Sequence, residues 1–276
     1  MTETAAVFLT GGSGDAIVSG LTTLYEVEKH FEIDYIHTNS GGSIAAALWR
    51  AGWSPQEVKR LFDNLGTKYL PKDDRWSKFR MAFKGAADSG KVYSKVLEGW
   101  VPEVVKTDVT HVVEALSLDS GQRQIEFGPH GHYDLGLYRK AVRASGNIPL
   151  MWDPVLMFQE RHVDGFPNNF PVNSGLKEAK KRDHMIVSSP IRIADPWRPM
   201  SKINAITLVE RIAKLYMDHA SQLAAVPHLW PDESFFVYYR EIETRLDTPT
   251  GWSLEFDKAQ HVAQASMEWY VSRLNR

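Results

Sequence analysis

The stretch H37-T-N-S-G-G-S-I-A-A-A-L-W-R-A-G52 places a serine between an asparagine and two glycines. It follows F31-E-I-D-Y-I36, which has the composition of a short buried strand, and it runs into A45-A-A-L-W-R50, which is typical of a helix. A serine at a strand-to-helix turn, with glycine after it, is typical of a nucleophile elbow. Serine and glycine are also common in ordinary turns, so both interpretations stay open at this point.

Two details of this segment depart from the usual G-x-S-x-G pattern of an elbow. The first glycine of the pattern is replaced by Thr38, at a position where strand and helix approach closely and where threonine is bulkier. A shifted register would instead make Ser43 the central serine, between Gly41 and Ala45. The residues alone therefore leave Ser40 and Ser43 as alternative nucleophiles.

Composition limits the class of protein. The chain has 276 residues, of which 43% are hydrophobic, and this is enough for one large core. Its net charge of −2 gives no basic field that would favour nucleic acid. The absence of cysteine excludes disulfides, thiolate zinc sites and a cysteine nucleophile. We find neither a signal peptide nor a run near the roughly 20 apolar residues of a spanning helix, and we expect a soluble cytoplasmic protein.

Strand-like and helix-like segments alternate along the first part of the chain. The apolar run A5-A-V-F-L9 predicts a buried strand, G11-G-S-G-D-A-I-V-S-G20 a glycine-rich turn, and L21-T-T-L-Y-E-V-E-K29 a helix. After the elbow, S54-P-Q-E57 predicts a capping box with proline at the first helical position. This alternation predicts an α/β fold with a mostly parallel central sheet flanked by helices.

The later segments extend the same pattern. Further strands are predicted at 109–118, 124–127, 185–188 and 234–242, and helices at 201–216 and from Asp257 onward. No internal repeat, low-complexity tract or charged linker divides the chain. We therefore expect a single domain over residues 1–276.

Two other segments are candidates for chemistry. The glycine-rich segment lacks the lysine of a P-loop after Gly20 and has Ile17 where a dinucleotide fingerprint needs its third glycine. It can still supply main-chain N–H groups to an oxyanion, although by itself it is more typical of a structural turn. Asp164 precedes a glycine at a predicted strand end. This is either an Asx-turn or a carboxylate placed to accept a proton.

Taken together, these segments resemble the patatin-like phospholipase family. Four segments carry the resemblance, in this order: L9-T-G-G-S-G-D-A-I-V-S-G-L-T-T-L-Y-E-V-E28, T38-N-S-G-G-S-I-A-A-A-L-W-R-A-G52, A141-V-R-A-S-G-N-I-P-L-M-W-D-P-V155 and V163-D-G-F-P-N-N-F-P-V172. The third is similar to the family's A-x-R-A-S-x-x-I-P segment and is the most specific. The offset from Leu48 to Gly52 places the family's nucleophile at Ser40 and not at Ser43.

The resemblance implies a three-layer fold and a serine–aspartate dyad, with Ser40 as nucleophile and Asp164 as base. It implies an oxyanion hole from the main chain of Gly11, Gly12 and Ser13, with Gly41 as a further donor. The implied activity is that of a serine lipid acyl hydrolase without metal or cofactor, acting on phospholipid, lysolipid or other acyl esters. Peripheral contact with membranes is part of the same expectation, and nucleic acid is not an expected partner.

Several departures from the family pattern keep alternatives open. Thr38 replaces the elbow's first glycine, Ser13 replaces a glycine of the oxyanion loop, and Asp15 stands where a basic residue is usual. A negative charge near a developing oxyanion is unfavourable, so a weakened lipid- or anion-binding relative is one alternative. Transfer of the acyl group to an acceptor other than water is another. Phe166 also follows Asp164-Gly165 where a small residue is usual.

Histidines and one basic segment complete the candidates. A triad would need His37 or His162 near Ser40, and the pair His130 and His132 suggests a metal, but none of these lies in a recognisable motif, and we assign no metal. The segment R75-W-S-K-F-R-M-A-F-K-G85 mixes aromatic and basic residues. It is either an interfacial lid that meets lipid head groups or a surface loop whose aromatics pack on the core.

Overall fold

The computed structural model describes residues 3–10, 13–65, 75–165, 171–189, 234–238 and 249–275. The strands in these ranges are β1 Thr4–Leu9, β2 Glu32–Asn39, β3 Thr110–Ser117, β4 Gly121–Phe127, β5 Val155–Met157, β6 Glu160–Asp164, β7 His184–Ser189 and β8 Ser234–Tyr238. The helices are α1 Ser13–Val27, α2 Gly41–Arg50, α3 Pro55–Leu65, α4 Arg75–Lys84, α5 Lys91–Trp100, α6 Leu135–Ser145, α7 Pro171–Ala179 and α8 Pro249–Leu274.

All of these strands belong to one sheet, in the order β5-β6-β3-β2-β1-β7-β8, with β4 paired to β3. The neighbours from β8 through β7, β1 and β2 to β3 are parallel. Short connections join β3 to β4 and β5 to β6 as antiparallel pairs, and β3–β6 is antiparallel as well. The predicted α/β fold is confirmed, and its parallel sheet has an antiparallel end.

Two strands, β2 and β6, pair with the same edge of β3 and run toward each other. Along its other edge β3 pairs with β4 from residue 111 to 117. On the shared edge, parallel β2 ends with Asn39 opposite Glu114, and antiparallel β6 ends with Asp164 opposite Ala115. Because Glu114 and Ala115 are neighbours, the carboxyl ends of β2 and β6 meet beside β3.

The central strands are buried on both faces. In β1, Ala5, Val7 and Leu9 belong to the larger apolar cluster, which α1, α2, α3, α5, α6 and α8 also enter. The alternate residues Ala6 and Phe8 belong to a smaller cluster on the opposite face, which α7 enters. A parallel sheet covered on both faces is the expected arrangement for an α/β fold, and it gives the three layers that the resemblance implied.

The helix boundaries correct two predictions. The helix expected from Leu21 begins at Ser13, so most of the glycine-rich segment is helical. A Cβ at Gly20 would lie 2.9 Å from the Cβ of Ala45, which shows that this glycine serves the close packing of α1 on α2. The last helix begins at Pro249, and Asp257 inside it forms an ion pair of 2.6 Å with Lys59 of α3 instead of capping the helix.

The capping box before α3 is confirmed, because the Ser54 main-chain N–H donates to the Glu57 carboxylate at 2.8 Å while the Glu57 N–H donates to the Ser54 hydroxyl at 3.3 Å. The segment of residues 75–84 is a helix, α4. The helix predicted at 201–216 and the strand residues predicted beyond 238 lie outside the described residues. No helix in the described ranges combines the length and apolarity that crossing a bilayer requires.

Candidate active site

Ser40 forms the turn between β2 and α2. Its backbone has φ of 50° and ψ of −130°, a conformation that residues with a Cβ rarely adopt. The main chain is held on both sides, because its N–H donates to the Ser145 hydroxyl at 2.9 Å and its C=O accepts the Ser43 N–H at 3.0 Å. A strained serine between the end of a strand and the start of a helix is the geometry of a nucleophile elbow.

The structure brings the side chains of Ser40 and Asp164 into direct contact. The Ser40 hydroxyl donates to Oδ2 of Asp164 at 2.7 Å. Ser40 is 7% exposed and Asp164 is 2% exposed, so the hydrogen bond lies in a largely dry environment where it is stronger than in water. The contact follows from the pairing of β2 and β6 with the same edge of β3.

Close approach behind the elbow requires glycine at position 42, not at position 38. A Cβ on Gly42 would lie 2.5 Å from the main-chain oxygen of Leu9 at the end of β1. We expected Thr38 to hinder the approach of strand and helix, and this was wrong. The Thr38 side chain is fully buried, and its hydroxyl lies 2.8 Å from both the Ser43 hydroxyl and Nε2 of His111.

Ser43 lies behind the elbow. Its hydroxyl is 2.8 Å from the hydroxyl of Thr38 and 2.8 Å from that of Ser145, and the residue is fully buried in the first turn of α2. Of the two candidate serines, the structure therefore pairs Ser40 with the aspartate.

The histidines near the elbow in sequence face other groups. The ring nitrogens of His37 lie 3.0 Å from the Tyr35 hydroxyl and 2.9 Å from the Glu114 carboxylate. Nδ1 of His162 lies 3.1 Å from the main-chain oxygen of Glu160. Among the described residues no histidine is hydrogen-bonded to Ser40, whose hydroxyl donates to Asp164.

The residues expected to form the oxyanion hole are described only in part. Gly11 and Gly12 lie outside the described residues, as does Phe166. Ser13 begins α1, with Asp15 in the same first turn, and Gly41 begins α2. Leu9 pairs with Thr38 in the parallel ladder, so the chain leaves β1 at the same end of the sheet at which Ser40 leaves β2.

The sequence-based prediction missed the contacts that the end of α6 and the residues after it make with Ser40 and Asp164. The Ser145 hydroxyl accepts the Ser40 N–H, and the Asn147 main-chain oxygen accepts the Asp164 N–H at 3.0 Å. The A141-V-R-A-S-G-N-I-P149 motif marked this segment as characteristic of the family, but neither spacing nor composition indicated which groups it would bind.

In the ranges that the structure describes, no group of three or more histidine, aspartate or glutamate side chains is arranged to hold a metal ion. His132 instead lies 5.9 Å from the ring of Phe127 and 6.0 Å from that of Phe158, measured between ring centroids.

A comparison with known protein families shows to which family the chain belongs. The family model described as Patatin-like phospholipase matches residues 9–175, which is more than half of the 276 residues. The chain belongs to the patatin-like phospholipase family. The resemblance carried by the four sequence segments is thereby confirmed. Patatin-like proteins generally hydrolyse lipid esters.

A comparison with solved structures matches the chain to two proteins from bacteria. VipD from Legionella pneumophila is 11% identical with a TM-score of 0.48, and the match covers 96% of this chain and 67% of VipD. The heterodimeric ExoU–SpcU complex from the type III secretion system of Pseudomonas aeruginosa contains a chain that is 14% identical with a TM-score of 0.45. That match covers 98% of this patatin-like chain but 52% of the other. A search of curated proteins found no match.

Proposed function

We propose that this patatin-like protein is a serine lipid acyl hydrolase that cleaves carboxylic esters of phospholipids, lysolipids or related acyl lipids. Ser40 is the nucleophile and Asp164 the base. The hydrogen bond of 2.7 Å from the Ser40 hydroxyl to the Asp164 carboxylate is the observation that carries the proposal. Membership of a family that hydrolyses lipid esters supports the substrate class.

The reaction proceeds in two steps that share one intermediate. In the first, Oγ of Ser40 attacks the ester carbonyl while its proton passes to Asp164, and the tetrahedral intermediate then expels the alcohol, which takes that proton. In the second, Asp164 accepts a proton from water as the water oxygen attacks the acyl-enzyme. The fatty acid leaves, the proton returns to Ser40, and the enzyme is restored.

A carboxylate is a weaker base than histidine, since its reference pKa is about 3.9. Most of the rate must therefore come from positioning and from stabilisation of the oxyanion. We propose that main-chain N–H groups of Gly11, Gly12, Ser13 and Gly41 supply this stabilisation. The proximity of Gly42 to the main chain of Leu9 supports the proposal, because it brings the start of α2 next to the strand that leads into the glycine-rich segment.

The test compares ester hydrolysis and fluorophosphonate labelling in the wild type and in two variants. We expect Ser40→Ala to abolish both, and Asp164→Ala to reduce both strongly. Ser272→Ala and Asp183→Ala are the matched controls, since Asp183 directly precedes β7 at the opposite end of the sheet and Ser272 lies two residues from Tyr270, which contacts His184 at that end. Full activity in either dyad variant contradicts the assignment.

The same assay distinguishes the alternatives. A folded wild-type protein that binds lipid vesicles but neither hydrolyses esters nor takes up the probe at Ser40 is a binding protein only. Formation of a new ester when an alcohol or a lysolipid is added, at the expense of free fatty acid, identifies an acyltransferase.

Helix α4 is the proposed contact with a membrane surface. Four of its ten residues are basic and none is acidic, and Trp76 is 70% exposed. Basic residues attract anionic head groups, and tryptophan partitions into the interface. We expect Trp76→Ala to weaken binding to vesicles of anionic phospholipid, whereas Trp269→Ala, at a 53% exposed tryptophan on α8, should leave it unchanged. Equal binding by the wild type and both variants contradicts this contact.

A further inference from the structure

One short segment, Ser145-Gly146-Asn147, holds the main chain of both members of the dyad. The Ser145 hydroxyl accepts the Ser40 N–H at 2.9 Å, and the Asn147 C=O accepts the Asp164 N–H at 3.0 Å. We propose that Ser145 and Asn147 are positioning residues that set the separation of nucleophile and base. This inference rests on the proposed function of Ser40 and Asp164, and it adds residues that do not themselves touch the substrate.

Several contacts fix the position of the Ser145-Gly146-Asn147 segment. It continues α6, and the N–H groups of Gly146 and Asn147 both donate at 3.1 Å to carbonyls of the last helical turn. The Asn147 side-chain amide donates to the main-chain oxygen of Asp153 at 3.0 Å. Ser145 and Asn147 are fully buried. A Cβ on Gly146 would lie 2.6 Å from the Tyr93 hydroxyl, so the segment is also closely packed from the side of α5.

A buried chain of polar side chains leads to the Ser145 hydroxyl. It links Ser145 to Ser43, Ser43 to Thr38, Thr38 to Nε2 of His111, and Nδ1 of His111 to the Tyr138 hydroxyl, each at 2.8 Å. At its far end the guanidinium of Arg50, a residue that is 2% exposed, lies over the Tyr138 ring at 5.2 Å from the ring centroid. The chain therefore runs from a buried cation at the end of α2 to the strained residue that precedes the same helix.

Burial fixes the charge states at the far end of this chain. It raises the pKa of Tyr138 to about 12, so the hydroxyl keeps its proton. Burial, together with Arg50 and His37, holds the pKa of His111 well below its usual value near 6.5. Neutral His111 has one donor and one acceptor nitrogen, so it can bridge the Thr38 and Tyr138 hydroxyls.

The chain ends at the elbow. The Ser145 hydroxyl lies 2.8 Å from that of Ser43 and accepts the Ser40 N–H at 2.9 Å, so its oxygen is held from two sides. This arrangement holds the Ser145 oxygen in the position from which it accepts the Ser40 N–H.

Such an anchor is needed because Ser40 is strained. A backbone in this conformation is unfavourable and persists only where its surroundings fix it. Without the acceptor at Ser145, the turn can relax and move Oγ away from Asp164. A displacement of about 1 Å in a reacting group can lower a rate by about 100-fold. The loss falls on the chemical step, so it lowers kcat more than it changes KM.

The test is a kinetic comparison of Ser145→Ala with wild type on one soluble ester. We expect kcat to fall about 10- to 100-fold with KM changed less than about twofold, and fluorophosphonate labelling to slow by a similar factor. Ser145→Thr keeps the hydroxyl and should recover most of kcat. Thr22→Ala is the control, since this fully buried hydroxyl donates to carbonyls of its own helix, and its loss should lower Tm without lowering kcat.

Two results for Ser145→Ala would overturn the inference. One is a kcat and a labelling rate equal to those of wild type, and the other is a change confined to KM. If Ser145→Ala does not fold, Thr38→Val is tested instead, because it removes the hydroxyl that contacts Ser43, the neighbour of Ser145. We expect its kcat to fall about two- to fivefold. A kcat equal to that of wild type in Thr38→Val also overturns the inference.

A wild type that neither hydrolyses esters nor labels at Ser40 refutes the proposed function instead. In that case amide exchange at Ser40, measured by NMR, still tests the anchor. It should be faster in Ser145→Ala than in wild type, and unchanged exchange overturns the inference.

Discussion

The two sides of the candidate dyad come from opposite kinds of strand pairing. Ser40 follows β2 in the parallel part of the sheet, and its backbone is strained. Asp164 ends β6 in the antiparallel part, within the strand itself. The serine is positioned by turn geometry and by the hydrogen bonds behind it, whereas the aspartate is positioned by the register of β6 on β3. The candidate active site thus depends on two different structural constraints.

The two sides nevertheless share one requirement. Each has a glycine next to the dyad whose absent side chain lets another backbone approach. A Cβ on Gly42 would lie 2.5 Å from the Leu9 oxygen, and one on Gly165 would lie 2.7 Å from the Glu114 oxygen. Variants on the two sides therefore test how strongly each constraint acts.

The largest effect is expected from removing the base while keeping its shape. Asp164→Asn preserves the size of the side chain, but an amide cannot take the Ser40 proton, so kcat should fall about 1,000-fold or more. Stopped or continuous ester assays measure this, with circular dichroism to show that the fold is retained. Asp183→Asn, at the opposite end of the sheet, is the control. A loss smaller than about tenfold would mean that Asp164 does not act as the base.

The next effect concerns the serine side. Gly42→Ala forces a Cβ against the rigid main chain of β1, and we expect it to lower the free energy of unfolding by about 3 kcal/mol. Gly99→Ala is the matched control, since Gly99 lies in helix α5 with no atom within 4 Å of its added Cβ. That variant should gain about 0.5–1 kcal/mol, because alanine favours helices. Urea denaturation measures both, and equal changes would contradict the close approach.

A smaller effect is expected on the aspartate side. Gly165→Ala should lower the free energy of unfolding by about 2 kcal/mol, because the added methyl meets the Glu114 carbonyl with slightly more room. It should also lower kcat, since relief of the contact displaces the main chain beside Asp164. Unfolding curves and ester assays on the same preparation check both expectations. Unchanged kcat would show that the end of β6 tolerates displacement.

The smallest effect depends on pH and concerns the buried polar side chains behind the elbow, which link Tyr138 through His111 to Ser145. The pKa of His111 is held below its unfolded value near 6.5, so above that pH the residue is neutral in both states and contributes no pH dependence. As the pH falls below about 6.5, the unfolded state binds a proton that the folded state refuses, and stability declines by up to about 1.4 kcal/mol per pH unit.

His111→Gln removes this titration. The difference in unfolding free energy between wild type and variant should therefore change by up to about 2 kcal/mol between neutral pH and about pH 5, in favour of the variant at the lower pH. Thermal or urea unfolding across this range measures it. A difference that does not vary with pH would contradict a neutral, buried His111.

Local signals in the sequence predicted the local features. The capping box at Ser54 and Glu57, the strand before the elbow and the strand end at Asp164 were all predicted correctly, because their causes lie within a few residues. The start of α1 was predicted too late. Gly20 suggested a turn, and its real reason is a contact with Ala45 that sequence does not show.

The contacts that hold the candidate site in place could not be predicted from sequence. Thr38 was taken as an obstacle because its partner His111 lies 73 residues away in the chain. Ser145 contacts Ser40 across 105 residues, and the packing of α6 on α2 and β3 brings these segments together. Periodicity and turn chemistry describe elements one at a time, whereas these contacts depend on how the elements are assembled.

The ladder between β6 and β3 consists of three residue pairs. If refolding joins the two strands one residue out of step, Asp164 moves by about 3.3 Å and its carboxylate turns to the opposite face of the sheet. Such a molecule would be compact and rich in secondary structure, yet catalytically inert. Recovery of enzyme turnover after denaturation should consequently lag behind recovery of the far-ultraviolet spectrum.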